Sequence, residues 1–274
     1  MRTRVITAVV AIGLFIPLLF VWPPVVLTAV MGVFCAVGTW ELLYAVKAVD
    51  KHIFLYISCA AAFCVPFSLC SESAAAFPFL AIMFAYMVAA FACGVFDHRR
   101  ITHAVMAKGF LAAIIFPALF ASVLRILTVP DGAGRSIVLM PWVTVWVCDS
   151  AALFVGRAIG KRKLAPYVSP KKTVAGGVGG LIGGVVAMIA YVLIGRHFFE
   201  LQFDLLPAAI YGLFGAAVGQ LGDLSLSVIK REAGIKDYGK LFPGHGGVWD
   251  RFDSILFASP LFELVFIQLP KVIK

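Results

Sequence analysis

Two basic stretches of the sequence interleave lysine and arginine with glycine, proline, histidine and aspartate. The first runs from Arg157 to Ala175 and the second from Lys230 to Asp250. A signal that only orients membrane helices needs lysine and arginine, and it does not explain the other residues. Flexible glycine backbones and ammonium groups are the donors that bind phosphate. The two stretches therefore predict an anionic, phosphate-bearing ligand.

The first stretch contains the run Ser169-Pro170-Lys171-Lys172-Thr173 immediately before a predicted helix. Pro170 interrupts any helix and biases Ser169 towards an extended conformation. An anion at a helix N-terminus meets free N–H groups and a favourable dipole. We therefore predict that this run binds a triphosphate.

The second stretch contains Pro243-Gly244-His245-Gly246-Gly247, whose backbone is able to approach a ligand closely. A lone histidine usually has a structural role. A histidine among three glycines has little core to pack into, so a structural and a ligand-facing interpretation of His245 stay equally open. Further along, Asp250 and Asp253 are three residues apart and share one face of a predicted helix.

Acidic residues inside apolar segments are the third chemical feature. Asp149 and Asp223 each lie several residues before a basic stretch, which predicts buried side chains roughly 10–12 Å below the inner membrane interface. A carboxylate there is costly unless it is paired or binds a metal. We expect a shared polar cavity, with pairing to nearby basic residues as the alternative. Glu41 lies at a similar depth but belongs to no motif. Carboxylates beside phosphate suit Mg²⁺.

The elements that hold these residues are predicted to be membrane-spanning helices. Apolar residues make up 62% of the 274 residues and charged residues 14%, which excludes an ordinary soluble domain. We predict an all-α polytopic integral membrane protein, with about nine transmembrane helices and a polar cavity that faces the cytoplasm. The predicted spans are residues 5–21, 25–46, 53–70, 76–96, 109–128, 137–156, 176–195, 206–229 and 253–270. Residues 1–130 form N-terminal helices, and residues 131–274 form the catalytic region.

Charge and cysteine content narrow the function further. With an inner N-terminus, most of the 23 lysines and arginines fall on one side, which is then cytoplasmic. The net charge of +9 indicates orientation and affinity for anionic lipid or substrate, and nucleic acid is not an expected partner. The six cysteines lie in apolar segments without C-x-x-C spacing and are interpreted as packing residues. Gly176, Gly180 and Gly184 share one helix face, which predicts close helix packing.

These motifs resemble the phosphatidate cytidylyltransferase (CDP-diacylglycerol synthase) family. The matching C-terminal pattern is Ser227-x-x-Lys230-Arg231, then Lys236-Asp237, then Phe242-Pro243-x-His245-Gly246-Gly247-x-x-Asp250-Arg251-x-Asp253. Upstream, Asp149, Gly156-Arg157, Gly160-Lys161, Ser169 to Thr173 and Gln220-x-Gly222-Asp223-Leu224 also match. The N-terminal half matches only as generic membrane helices. Ala175 stands where the family usually has glutamate, and Leu153 where tyrosine is common.

The resemblance implies that CTP and phosphatidic acid react to give CDP-diacylglycerol and pyrophosphate, with Mg²⁺ and often K⁺. It also implies membrane lipids as partners, a homodimer, and a bacterial cytoplasmic (inner) membrane location. Asp223 and Asp250 are the expected metal ligands. The expected catalytic residues are Asp223, Asp250, Lys230, Arg231 and His245. The expected substrate-binding residues are Arg157, Lys161, Ser169, Lys171, Lys172, Thr173, Lys236, Asp237, Gly246, Gly247, Arg251, Asp253 and Asp149.

Two other functions remain open on the sequence. A CTP-dependent lipid kinase would release CDP in place of pyrophosphate. An ion-coupled transporter would use Asp149 and Asp223 as ion sites within the membrane. The clustering of unusual residues in the basic stretches, together with the absence of a repeat between the two halves, argues against the transporter.

Overall fold

The computed structural model describes Gly13, Pro17 and residues 19–47, 53–70, 76–129, 134–198, 203–242, 244 and 246–268. Within these ranges the chain is almost entirely helical. The α-helices are α1 (Pro24–Ala45), α2 (Ile53–Leu69), α3 (Ala76–Phe96), α4 (His103–Phe110), α5 (Phe116–Phe120), α6 (Ser122–Ile126), α7 (Gly134–Ile137), α8 (Leu139–Ile159), α9 (Val174–Phe198), α10 (Leu205–Glu232) and α11 (Trp249–Glu263). Short π-helical segments, Leu111–Ile115 and Leu264–Gln268, follow α4 and α11.

Six helical stretches of the described chain are long and apolar enough to cross a membrane. They are Pro24–Ala45, Pro78–Phe96, His103–Ile126, Gly134–Ile159, Val174–His197 and Leu205–Glu232. The shorter apolar helix Ile53–Leu69 occupies the third predicted span. The polytopic, all-α membrane architecture predicted from composition is thereby confirmed, while the total of nine spans stays a prediction. The predicted span 5–21 lies largely outside the described residues, and the ninth corresponds to α11 and the π-helical segment after it.

The first basic stretch forms a β-hairpin, where the sequence indicated only a loop. Strand β1 (Lys163–Ala165) pairs antiparallel with β2 (Ser169–Thr173), with Lys163 opposite Thr173 and Ala165 opposite Ser169. Ser169 is extended, as the proline after it predicts. Pro170 lacks an N–H donor and is tolerated because a two-stranded hairpin has only edge strands.

The chain divides into two compact units. The first unit comprises Met1–Leu124 and Glu232–Phe252, and the second comprises Arg125–Arg231 and Asp253–Lys274. A core of fully buried side chains, including Phe54, Val65 and Ile114, holds α2, α3 and the π-helical segment of the first unit together. Polar groups in this core are paired: Thr39 Oγ1 donates to Ala112 O at 2.7 Å.

Glycines allow the long helices of the second unit to pack closely. A Cβ added to Gly176 would lie 2.7 Å from Ala152 O, and one added to Gly184 would lie 2.5 Å from Ala216 Cβ. At Gly180 an added Cβ would lie 3.0 Å from Cys148 Sγ. This glycine face of α9 therefore contacts both α8 and α10, which confirms the predicted role in helix packing.

Candidate active site

An ion pair in the second unit joins two motifs that are far apart in the sequence. Lys172 Nζ, on β2, lies 2.5 Å from Asp223 Oδ2, on α10. Both side chains are about three-quarters buried, with relative exposures of 27% for Lys172 and 24% for Asp223. Ser227, one turn along α10, donates from Oγ to Asp223 Oδ1 at 3.3 Å. The pairing alternative considered for Asp223 is therefore the arrangement found in the protein.

The end of β2 is fixed against α8 and α9 by Thr173. This buried residue precedes α9, and its Oγ1 accepts from Gly176 N at 3.1 Å, as an N-cap does. A Cβ added to Gly156 would lie 2.9 Å from Thr173 Oγ1, and an added Cβ on Gly160 would also collide with this side chain. The glycines of the Gly156-Arg157 and Gly160-Lys161 motif thus make room for the cap, and the cap fixes the adjacent Lys172.

Gln220 connects the same helices one turn before Asp223. Its Nε2 atom donates to Gly177 O at 3.1 Å on α9 and lies 3.3 Å from Cys148 Sγ on α8. The sequence analysis matched Gln220 to a motif but gave it no role. Because it links α10 to α9 and α8, Gln220 helps fix the register in which Asp223 faces Lys172.

A second acid and two basic residues lie near this pair. A Cβ added to Gly222 would lie 2.6 Å from Asp253 O, so α10 and α11 are in contact there. The Asp253 carboxylate interacts electrostatically with Asp223 and Lys230. Lys230 is buried, with 7% exposure, while Arg231 donates from Nε to Val168 O at 3.1 Å on the hairpin.

Other residues predicted in this region are more open. Asp149 lies in the apolar stretch Gly134–Ile159, and its side chain is exposed on the outer surface of the protein; its depth in the membrane stays a prediction. Arg157, Lys161 and Lys171 are also exposed, whereas Ser169 is half-buried. Exposed cations beside a largely buried ion pair suit an anionic ligand that arrives from solution.

The described part of the second basic stretch lies mainly in the first unit, where Asp250 organises it. Asp250 is 5% exposed, and its Oδ2 accepts from Tyr238 N at 2.7 Å and from Gly247 N at 2.9 Å. The metal role predicted for Asp250 stays a prediction, and the structure shows that this carboxylate also stabilises the loop. Lys236, Asp237 and Arg251 are exposed. His245 lies outside the described residues.

Glycine backbone geometry gives the same loop its shape. Gly244 and Gly246 adopt positive φ angles of 76° and 91°, which other residues rarely do. Phe242 N donates to Gly246 O at 2.9 Å and closes the turn. Gly247 is buried and Gly246 half-buried. The loop conformation is therefore one that these glycines permit.

Glu41 of α1 contacts the second basic stretch, although the sequence analysis did not connect it to any motif. It is 4% exposed, and its Oε2 accepts from Val248 N at 2.7 Å. Val248 immediately follows the loop that contains Gly244, Gly246 and Gly247. The sequence offered the signal of an acid within an apolar helix, but no spacing rule links residue 41 to residue 248. Only the folded chain brings them together.

Comparison with known proteins now adds a second line of evidence. Residues 2–269 match the model of the cytidylyltransferase family. The chain belongs to the cytidylyltransferase family. The match extends through the N-terminal half, where the sequence motifs gave no family signal.

Several curated relatives are named phosphatidate cytidylyltransferase. That of Staphylococcus saprophyticus is 41% identical over 136 residues, which are 50% of this chain and 51% of the relative. Those of Bacillus subtilis (42% over 130 residues, 47% of each chain) and Haemophilus influenzae (41% over 133 residues, 48% of this chain and 46% of the relative) are equally similar. The matched region spans about half the length of these curated relatives.

Two positions depart from the pattern of the cytidylyltransferase family given above. Ala175 is the second residue of α9 and is half-buried, and Leu153 is 49% exposed on α8. An alanine at the second helical position offers no acid to the helix N-terminus.

The acidic residues of the site supply only part of the ligands that a magnesium ion needs. Among the described residues, no three histidine, cysteine or acidic side chains lie close enough together to hold a metal by themselves. Mg²⁺ usually takes one or two carboxylates together with water and substrate phosphates. Asp223 and Asp253, both in the second unit, are carboxylates of this kind, so the donor set fits an ion that binds together with a phosphate ligand.

Proposed function

We propose that this protein transfers CMP from CTP to phosphatidic acid, which gives CDP-diacylglycerol and pyrophosphate. The observation that carries the proposal is the ion pair between Lys172 and Asp223. It joins a lysine, whose ammonium group is suited to bind phosphate, to a carboxylate that is suited to bind a metal ion. The lysine belongs to the motif from Ser169 to Thr173 and the carboxylate to the motif from Gln220 to Leu224. The names of the relatives support the same reaction.

The chemistry requires little more than positioning and charge neutralisation. A phosphate oxygen of phosphatidate attacks the α-phosphorus of CTP, and the bond from that phosphorus to the oxygen bridging to the β-phosphorus breaks. The nucleophile is already an anion near neutral pH, so no strong base is needed. The leaving pyrophosphate gains negative charge, which nearby cations stabilise.

The residues of the second unit divide this work between them. Lys172 and the exposed Lys171 would hold CTP phosphates, and the buried Lys230 would face developing negative charge. Arg231, bound to the hairpin backbone, would keep β2 in place and add positive charge. We further propose that Arg157, Lys161, Ser169, Thr173 and Asp149 line the substrate region.

Asp223 and Asp253 would hold Mg²⁺, and Asp250 is retained as a further candidate ligand. Bound Mg²⁺ supplies charge neutralisation on the phosphates; K⁺ is an additional proposed cofactor. In the first unit, Gly246 would offer its backbone N–H group to phosphate, and Gly247, His245, Lys236, Asp237 and Arg251 would line the substrate region.

The proposal includes the setting of the reaction. The protein is integral to a membrane, as its apolar helices indicate. We propose that this is the bacterial cytoplasmic membrane, that the basic stretches face the cytoplasm, and that the chain forms a homodimer. Phosphatidate would enter laterally from the bilayer, and nucleic acid would not be a partner.

The test is pyrophosphate release by the purified protein in detergent with CTP, Mg²⁺ and phosphatidate, each omitted in turn. Release that needs all three components is the expected result. CDP in place of pyrophosphate, with a lipid alcohol as acceptor, would identify a lipid kinase and overturn the proposal. If neither product forms while the protein stays folded, the proposal is overturned and an ion-coupled transporter becomes the favoured function.

A further inference from the structure

The carboxylate of Glu41 lies against the backbone of residues 239, 247 and 248. Its Oε2 accepts from Val248 N at 2.7 Å. Gly239 and Gly247 pack so closely on this side chain that a Cβ on either residue would collide with its carboxylate atoms. Substitution of either glycine would therefore push Glu41 or the loop out of position.

Glu41 and Asp250 together fix both sides of the loop. Asp250 Oδ2 accepts from Tyr238 N and Gly247 N, and Glu41 accepts from the next residue, Val248. Three backbone N–H groups, on both sides of the positive-φ glycines, are thus held by two buried acids. We call residues 238–248 the braced loop; Pro243 and His245 within it lie outside the described residues.

Anchoring of α1 does not by itself account for an acid at position 41. Aromatic contacts already join α1 to this region: the rings of Phe34 and Phe252 lie 5.7 Å apart, and a Cβ on Gly38 would lie 2.6 Å from the Trp249 ring. Burying a carboxylate is costly unless hydrogen bonds compensate. The Val248 N–H supplies such a bond, so what the acid adds to the apolar contacts is a fixed loop backbone.

We propose that Glu41 is a positioning residue, which holds the braced loop in the conformation that binds the polyphosphate of CTP. The inference rests on the proposed function. A loop whose backbone is fixed before the ligand arrives binds it without reorganisation. Loss of the brace should therefore weaken CTP binding and leave phosphatidate binding unchanged.

The experiment compares Glu41→Ala, Glu41→Gln and the matched control Thr39→Val. Gln keeps an acceptor oxygen for Val248 N, whereas Ala keeps none. Thr39→Val removes a buried hydrogen bond of α1, to Ala112 O, that does not involve the braced loop. If Glu41→Ala does not fold, Glu41→Asp replaces it, because its carboxylate is shorter by one methylene group.

Two readouts are measured for each variant in detergent. Hydrogen exchange of peptides that cover residues 238–248 reports loop opening without any turnover. Steady-state pyrophosphate release gives kcat and separate KM values for CTP and phosphatidate. For Glu41→Ala we expect exchange and the KM for CTP each to rise roughly tenfold, with the phosphatidate KM and kcat nearly unchanged. In Glu41→Gln, the exchange rate and the KM for CTP should return most of the way to the wild-type values. In Thr39→Val, neither the exchange rate nor the KM for CTP should change.

Each outcome decides a separate question. Unchanged hydrogen exchange in Glu41→Ala would overturn the proposal that Glu41 holds the braced loop in place. Faster exchange with an unchanged KM for CTP, or an equal rise for both substrates, would overturn its link to CTP. If the wild-type protein releases no pyrophosphate, the proposed function fails, while the exchange measurement still decides whether Glu41 holds the loop.

Discussion

Replacing Asp223 by asparagine removes one charge from the point where β2 meets α10. The side chain keeps its size, and its amide oxygen is still able to accept from Ser227 Oγ, 3.3 Å away in the native protein. Lys172 loses its ionic partner at 2.5 Å, but it is 27% exposed and is able to rehydrate. We therefore expect the unfolding free energy to fall by about 1–2 kcal/mol, between the values for exposed and for fully buried pairs.

Turnover should respond far more strongly than stability in Asp223→Asn. A neutral amide is a poor ligand for Mg²⁺, and the lost interaction is needed where phosphate charge develops. We expect pyrophosphate release at saturating substrate to fall at least about 100-fold, which corresponds to about 2.7 kcal/mol of transition-state stabilisation. The assay is continuous pyrophosphate detection, with thermal unfolding measured in the same detergent.

Asp204→Asn is the matched control for this variant. Asp204 lies in the same unit, is 82% exposed and is 3.8 Å from Arg196, so the same change in charge should leave turnover unaltered. Near-normal turnover in Asp223→Asn would refute the metal-binding role of Asp223. A parallel loss of folded protein would show that the ion pair is chiefly structural.

Three further substitutions test other parts of the site. Lys171→Ala, at an exposed position of β2, should raise the KM for CTP; a change confined to the KM for phosphatidate would assign the hairpin to the lipid. Thr173→Val removes the cap on Gly176 N and should lower the unfolding free energy by about 1 kcal/mol, measured by thermal unfolding; an unchanged midpoint would contradict the capping role. Gly184→Leu places atoms where a Cβ alone would lie 2.5 Å from Ala216 Cβ, so folded, detergent-soluble protein should be lost, and normal yield would contradict the packing of α9.

The membrane helices and the glycine face could be predicted because both depend on local pattern. Apolar length defines a span, and glycines four residues apart define a face. The hairpin was missed because strands of three and five residues, one of them containing Pro170, carry no alternating apolar signal. Lys172 and Asp223 were both predicted as site residues, but their pairing depends on the register between β2 and α10, which local pattern does not encode.

The burial of acidic side chains likewise depends on tertiary packing and could not be predicted from the sequence. Asp149 and Asp223 have the same sequence signature, an acid within an apolar helix, yet Asp149 is exposed and Asp223 is largely enclosed. Which way a residue faces depends on how helices pack. Glu41 carries the same signature again and accepts a hydrogen bond from Val248 N, 207 residues further along the chain.

The ion pair between Lys172 and Asp223 is consistent with a site that binds Mg²⁺ and CTP together. Without ligand, each side chain neutralises the other, so neither charge is left unpaired in a largely buried position. A phosphate that approaches Lys172 alone would leave Asp223 unpaired, and a cation at Asp223 alone would do the same to Lys172. Metal and nucleotide arriving together would provide both replacement partners, so that neither Lys172 nor Asp223 would be left without an ionic partner. We therefore expect the pair to favour the metal–nucleotide complex over either component alone.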